Sequence, residues 1–243
     1  DVRRTKVVKS GLKEFREEDL VPQEDVIVTV SQDGYIKRMP PTAFKSQKRG
    51  GKGLIGFELK EEDQIEHILT ANTHDNILFF TTRGKVFQTK VYEVPAATRT
   101  AKGKSLHNFL EIPQSEKASA VIAYSDKPEE KFLVMAPKNG LIKKTPLEDF
   151  GNVRRTGIIA INLKNDDSLY WAALSSGHDE IILATGKGQS IRFREKDVRS
   201  MGRTASGVTA IRLKKDDELA GLDIMREGQK SKRLLVVMAN GYG

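Results

Sequence analysis

The chain has 243 residues, 38% of them hydrophobic, enough for one large all-β domain or two smaller ones with a buried core. Its formal net charge of +8 and pI near 9.5 favour acidic partners such as nucleic acid or an anionic surface. The absence of cysteine excludes disulfides, thiolate catalysis and cysteine-built zinc sites; no apolar run approaches the about 18 residues of a membrane span, and Asp1-Val2-Arg3-Arg4 does not read as a signal peptide.

Residues 1–24 mix charges around Leu12, Phe15 and Leu20 and break at Pro22, which predicts a connector from an upstream region. From residue 25 onward one pattern recurs. An apolar strand runs into a glycine turn at Val26 to Val30 with Gly34, Ile77 to Phe80 with Gly84, Phe132 to Met135 with Gly140, Ile181 to Leu183 with Gly188, and Leu234 to Met238 with Gly241. Asp33-Gly34, Asn139-Gly140 and Asn240-Gly241 are tight-hairpin signals for antiparallel strands. The repeats run over about 25–74, 75–129, 130–178 and 179–230, with a partial fifth at 231–243. Behind each hairpin comes a basic loop ending in glycine, the turn-to-loop pairs being 34/53, 84/103, 140/157 and 188/207. Short strands follow at Gly157 to Leu163 and Gly207 to Leu213, then at Ile65 to Thr70, Ala118 to Ala123, Leu169 to Leu174 and Leu219 to Met225. Four short antiparallel strands per unit of about 50 residues predict an all-β, propeller-like ring of four-stranded blades.

Charge sorts by position within the repeat. Segments 34–53, 84–104, 140–157 and 188–207 hold 20 Lys or Arg against 5 Asp or Glu, whereas 54–83, 105–139 and 158–187 hold 8 against 15. Equivalent places in a ring of blades lie at equivalent heights, so the surplus cations are expected to form one belt able to hold a duplex through its phosphates. The candidate DNA-binding residues are Lys37, Arg38, Lys85, Lys90, Arg99, Lys102, Lys104, Lys143, Lys144, Arg154, Arg155, Arg192, Arg194 and Arg203, together with Gln47 to Gly53. For Lys37, Arg38, Lys143, Lys144, Arg192 and Arg194 the alternative is solvation of an outward strand face. Phe79, Phe80, Phe87 and Phe193 read as core, not as stacking platforms for bases.

Catalytic and metal constellations do not assemble. Gly103-Lys104-Ser105 lacks the leading glycine of a phosphate loop at Thr98. His74-Asp75 and His178-Asp179 each stand ten residues before a turn glycine, which argues for a turn role, and His67 and His107 are isolated.

The stretch Gln47-Lys48-Arg49-Gly50-Gly51-Lys52-Gly53 resembles the seven-residue box of the DNA gyrase A family, with Lys48 where the usual form has Arg. Glu24 to Val30 leading to Gly34-Tyr35-Ile36-Lys37-Arg38, and Thr73-His74-Asp75 followed by Leu78 to Thr81, are similar to that family too, and the likeness runs from about Arg3 to the end. The resemblance implies its C-terminal domain: a six-bladed β-pinwheel over 25–243, its last part missing here, in which adjacent blades exchange strands. It implies wrapping of double-stranded DNA around a basic rim, with the box Gln47, Lys48, Arg49, Gly50, Gly51, Lys52 and Gly53 required. It also implies ATP-dependent negative supercoiling in a bacterial cytoplasm, in an A2B2 complex whose other parts are the gyrase B protein and the remainder of gyrase A. No cofactor is expected in this domain, ATP and magnesium belonging elsewhere in the holoenzyme, and no enzyme activity of its own. The rival readings are the C-terminal domain of the A protein of topoisomerase IV and, from another class, a protein-interaction propeller.

Overall fold

The computed structural model describes residues 17–43, 63–153, 156–164 and 166–228. In the first repeat β1 (Asp25–Ser31) and β2 (Tyr35–Met39) form a hairpin about Gly34, and β3 (Ile65–Asn72) pairs on the other side of β1. The second supplies β4 (Asn76–Thr81), β5 (Lys85–Lys90), β6 (Lys104–Ser105), a one-turn helix α1 (Leu106–Phe109) and β7 (Ala118–Tyr124). The third supplies β8 (Phe132–Pro137), β9 (Leu141–Pro146), β10 (Ile158–Ile159) and β11 (Leu169–Ser175), the fourth β12 (Glu180–Thr185), β13 (Ser190–Arg194), β14 (Val208–Thr209) and β15 (Leu219–Met225). All these strands pair antiparallel. The four turn glycines adopt φ between +77° and +79°, a left-handed conformation that glycine reaches without steric cost.

The sheets order as β3-β1-β2-β6, β7-β4-β5-β10, β11-β8-β9-β14 and β15-β12-β13. One expectation is thereby corrected. Behind the second, third and fourth basic loops the strand does not complete its own repeat but crosses to the preceding sheet, in one register: Lys104 opposite Ile36, Ile158 opposite Val86, Val208 opposite Ile142. It is also shorter than the apolar text suggests, two residues in each case, because Ala160-Ile161 and Ala210-Ile211 turn away to donate their N–H groups to the carbonyls of Gly84 and Gly140. The result is the strand exchange that the resemblance implies.

The core lies between consecutive sheets, and the period-two alternation of strands explains how. In β4, Ile77 and Phe79 face the first sheet while Leu78 and Phe80 face the third, so all four are fully buried. β8 does the same with Leu133 and Met135 on one side and Val134 and Ala136 on the other. In β12 only Ile181 and Leu183 meet a neighbouring sheet among the described residues, and the pattern reverts to alternation. Phe87 belongs to the first interface and Phe193 packs against the third, as core.

The third strands of successive sheets, β3, β7, β11 and β15, touch one another in sequence. The donated strands therefore occupy the opposite edge of the first three sheets, at the outer rim. Among the described residues no helix is long and apolar enough to cross a membrane.

Candidate nucleic-acid interface

The second, third and fourth basic loops each leave a short 3-10 turn (Val91–Glu93, Leu147–Phe150 and Glu195–Asp197) and lead to a donated strand. The second and fourth loops lie beside the second strand of the preceding sheet, with parallel bridges of Arg38 to Ala96 and Lys144 to Ser200. The Met201 N–H donates to the Lys144 carbonyl at 2.8 Å, and the Ala97 N–H to that of Arg38 at 3.0 Å. Both loops close on a glycine at φ +91°, where a Cβ would stand 2.5 Å (Gly103) or 2.6 Å (Gly207) from the carbonyl oxygen of Ile36 or Ile142. Only glycine lets backbone come that near.

The box residues Gln47, Lys48, Arg49, Gly50, Gly51, Lys52 and Gly53 lie outside the described residues, as do Arg154 and Arg155. Lys104, Arg192 and Arg194 are exposed; Arg38, Lys85, Lys90, Arg99, Lys102 and Arg203 are half-buried. Several of these cations already have internal partners. Arg38 donates through Nε to the Val94 carbonyl at 2.7 Å, Lys85 pairs with Glu116 at 3.2 Å, and Arg192 pairs with Glu180. Lys90 sits between Asp126 at 2.8 Å and Glu18 at 3.0 Å. Burial would lower its pKa, but these two bonds outweigh that and raise it, and the same contact lowers that of Asp126. Lys102 lies 3.8 Å over the Tyr35 ring and so stays at the surface of the second loop. Arg99, Lys104, Arg194 and Arg203 have no ion-pair partner among the described residues, and exposed Lys196 and Arg199 join them. The two additions were legible as members of the fourth basic segment.

Three candidates are corrected outright. Lys37, Lys143 and Lys144 are only 4%, 0% and 6% exposed and point inward. The Lys37 ammonium donates to the carbonyls of Arg99 and Ala101, both at 2.6 Å, and of Thr98 at 3.3 Å. Lys143 donates to the carbonyls of Arg203 and of Ala160, the latter at 2.6 Å, and Lys144 to that of Glu195 at 3.0 Å. Lys37 and Lys143, three residues after a turn glycine, face the next basic loop, so their charge goes to that loop's carbonyls and not to a ligand. Lys144, one residue further on, turns to the other face and meets the carbonyl and, at 3.8 Å, the carboxylate of buried Glu195. Burial lowers the pKa of Lys37; for Lys143 burial and the neighbouring Arg203 guanidinium lower it to about 8 against a weaker pull from Asp149.

Acids outside the basic segments also have structural work. Asp63, Asp167 and Asp217 each accept through Oδ1 from the N–H of the residue before a turn glycine: Asp33 at 3.1 Å, Asn139 at 3.1 Å and Lys187 at 3.0 Å. Asp75 and Asp179 accept from the N–H of Asn72 and Ser176, both at 2.8 Å, closing two turns. His74 meets the Val21 carbonyl at 2.8 Å. Exposed acids do reach the rim side, at Glu93, Glu148, Asp149 and Asp197 on the 3-10 turns, two of them ahead of the third loop. Among the described residues no group of three His, Asp or Glu could hold a metal ion.

Comparison with known proteins places this architecture. The family described as the DNA gyrase C-terminal domain, beta-propeller, matches residues 25–72, 75–108, 131–175 and 179–224. The DNA gyrase A subunits of Staphylococcus epidermidis and of Staphylococcus aureus are each 41% identical over 244 aligned residues, covering 100% of this chain. The chain spans 27% of the length of those relatives. Among solved structures, the C-terminal domain of DNA topoisomerase IV superposes with a TM-score of 0.69 at 30% identity, over 84% of this chain and 62% of that one. The DNA gyrase A C-terminal domain superposes with a TM-score of 0.66 at 26% identity, over 82% of this chain and 64% of that one.

Proposed function

The chain belongs to the DNA gyrase C-terminal β-propeller family, and from that premise we propose that it binds duplex DNA along its outer rim without reading sequence, and bends it there. The observation that carries this reading is the recurrence of basic loops at one edge of successive sheets, with Arg99, Lys102 and Lys104 on one and Arg199 and Arg203 on another. Phosphate contacts supply affinity and register but little base information. Bending 20–30 bp by 40–90° costs of order 1–6 kcal/mol, so a wrapping protein needs contacts spread along its perimeter. Loops recurring at the rim supply such contacts.

In the full-length protein this domain would deliver wrapped DNA to the cleavage machinery of a bacterial, cytoplasmic A2B2 gyrase, whose ATP and magnesium sites lie in other domains. No catalytic or cofactor site is proposed for the domain itself. The higher superposition score with the topoisomerase IV domain keeps that enzyme in place for the second reading. A plasmid relaxed by a nicking-closing enzyme in the presence of this chain distinguishes the two: trapped positive writhe marks wrapping, and unchanged linking number marks binding without it. Duplex affinity should fall by orders of magnitude between about 50 and 200 mM salt, as for roughly 6–10 phosphate contacts. A salt-insensitive Kd rejects binding through a phosphate-facing belt, and absence of duplex binding leaves a protein-interaction propeller. In the holoenzyme, the combined Lys48→Ala, Arg49→Ala and Lys52→Ala changes should abolish supercoiling and leave ATP-driven relaxation; retained supercoiling rejects the role of the box.

A further inference from the structure

Two lysines that cannot reach a phosphate lie at the same place in the repeat, under loops that can. Lys37 and Lys143 each stand three residues after a turn glycine, fully covered, with the ammonium aimed at backbone. The carbonyls they hold are themselves equivalent: Arg99 is four residues before loop glycine Gly103, and Arg203 four residues before Gly207. Each guanidinium is thus carried on a peptide unit whose other end is tied down by a buried cation from the preceding sheet. The tie is many-sided for Lys37, which also takes Thr98 and Ala101, and Lys143 adds Ala160 from the segment behind the third loop. A charged donor makes stronger hydrogen bonds to carbonyls than a neutral one, which gives the loop a fixed course along the rim.

Resting on the DNA-binding reading, we propose that Lys37 and Lys143 are positioning residues for the interface: they do not touch DNA, but set the backbone of the following loop so that Arg99 and Arg203 meet phosphates at fixed points.

The charged groups facing Lys143 are Arg203 from the loop above and Asp149 from the 3-10 turn of its own repeat. The first adds a dependence that a passive structural lysine would not have. In free protein the Arg203 charge disfavours the Lys143 ammonium. A phosphate pairing with Arg203 cancels that repulsion and draws a proton onto Lys143, so binding takes up protons and weakens as pH rises through about 8.

The test is anisotropy titration of a fluorescent duplex with the 243-residue chain at fixed salt. Lys143→Met should lower affinity at pH 7 by about threefold to tenfold, the scale of the net contribution of one ordinary hydrogen bond. In an Arg203→Ala background the same change should cost less than about twofold, because its effect passes through that arginine. The loss of affinity between pH 7 and 9.5 should shrink in both single variants. Additive losses, or a pH profile for Lys143→Met parallel to that of the unaltered chain, would overturn the proposal. Lys37→Met with Arg99→Ala repeats the test at the other junction should Lys143→Met fold poorly. Amide hydrogen exchange without DNA separates this idea from the DNA-binding reading. If the unaltered chain binds no duplex, the reading fails; if exchange across residues 202–206 is unchanged by Lys143→Met, the positioning fails.

Discussion

The loop that the third repeat sends back to the second sheet rests on a phenyl ring, whereas the loops before and after it rest on an ammonium group. Phe87, Lys37 and Lys143 occupy one slot, three residues after the turn glycine, and each underlies the basic loop of the next repeat. The loops differ accordingly. Over Lys37 and Lys143 the loop winds so that carbonyls point down, and its glycine presses on the backbone of Ile36 or Ile142. Over Phe87 the turn-to-loop spacing is two residues shorter, and the glycine, Gly157, rests on the ring itself, a Cβ there lying 2.7 Å from two of its carbons. An apolar plug needs only shape from the loop above it. A buried cation needs acceptors, and two further residues of loop provide the course that supplies them.

The sharpest way to break this comparison is to empty the slot. Phe87→Ala should cost about 3–5 kcal/mol in denaturant unfolding, as large-to-small core changes do, because Phe87 packs in the interface shared by the first two sheets. A loss near zero would mean that the ring is not what seals the junction. Next in size are the glycines. Gly207→Ala should cost about 1–3 kcal/mol, since the residue is left-handed and its Cβ meets a carbonyl held in a sheet. Gly157→Ala, also at positive φ (+73°), meets the fully buried Phe87 ring and should likewise cost about 1–3 kcal/mol; a loss near zero would contradict the contact.

The smallest effect per step is in pH. The folded-state pKa of Lys143 lies at about 8, below its ordinary 10.5. Between those values the folded chain has released a proton that the unfolded chain still holds, so this lysine makes stability rise with pH across that window. A single proton bounds the slope at about 1.4 kcal/mol per pH unit. Subtracting the profile of Lys143→Met isolates it, and a difference that falls with pH over that window would refute the assignment. No comparable contribution comes from the Phe87 junction.

Much of this was legible in order of residues. The turn glycines, the first and third strands of each repeat and the burial of Phe79, Phe80 and Phe87 follow from alternation and turn chemistry, which act over a few residues. The acid-base sorting was legible too, and it pointed at loops that do sit at the rim. Lys37, Lys143 and Lys144 misled because a lysine on a strand carries no mark of which neighbour its far face will meet. For each of them a partner lies some 51 to 64 residues away, in another repeat. Asp63 and Asp167 were likewise counted as charge when their work is to close turns.

What the amino-acid order determined unaided is the repeat: its period, its hairpins, its basic loops and the excess of positive charge those loops carry. These depend on backbone torsions and side-chain alternation, which neighbours in sequence dictate. The assembly of repeats decided the rest. Handing a two-residue strand to the preceding sheet sets each loop against a foreign strand, and only there does it emerge which cations face water and which are buried beneath carbonyls. Desolvation and hydrogen bonding act through space, and the residues that supply them come from a different blade.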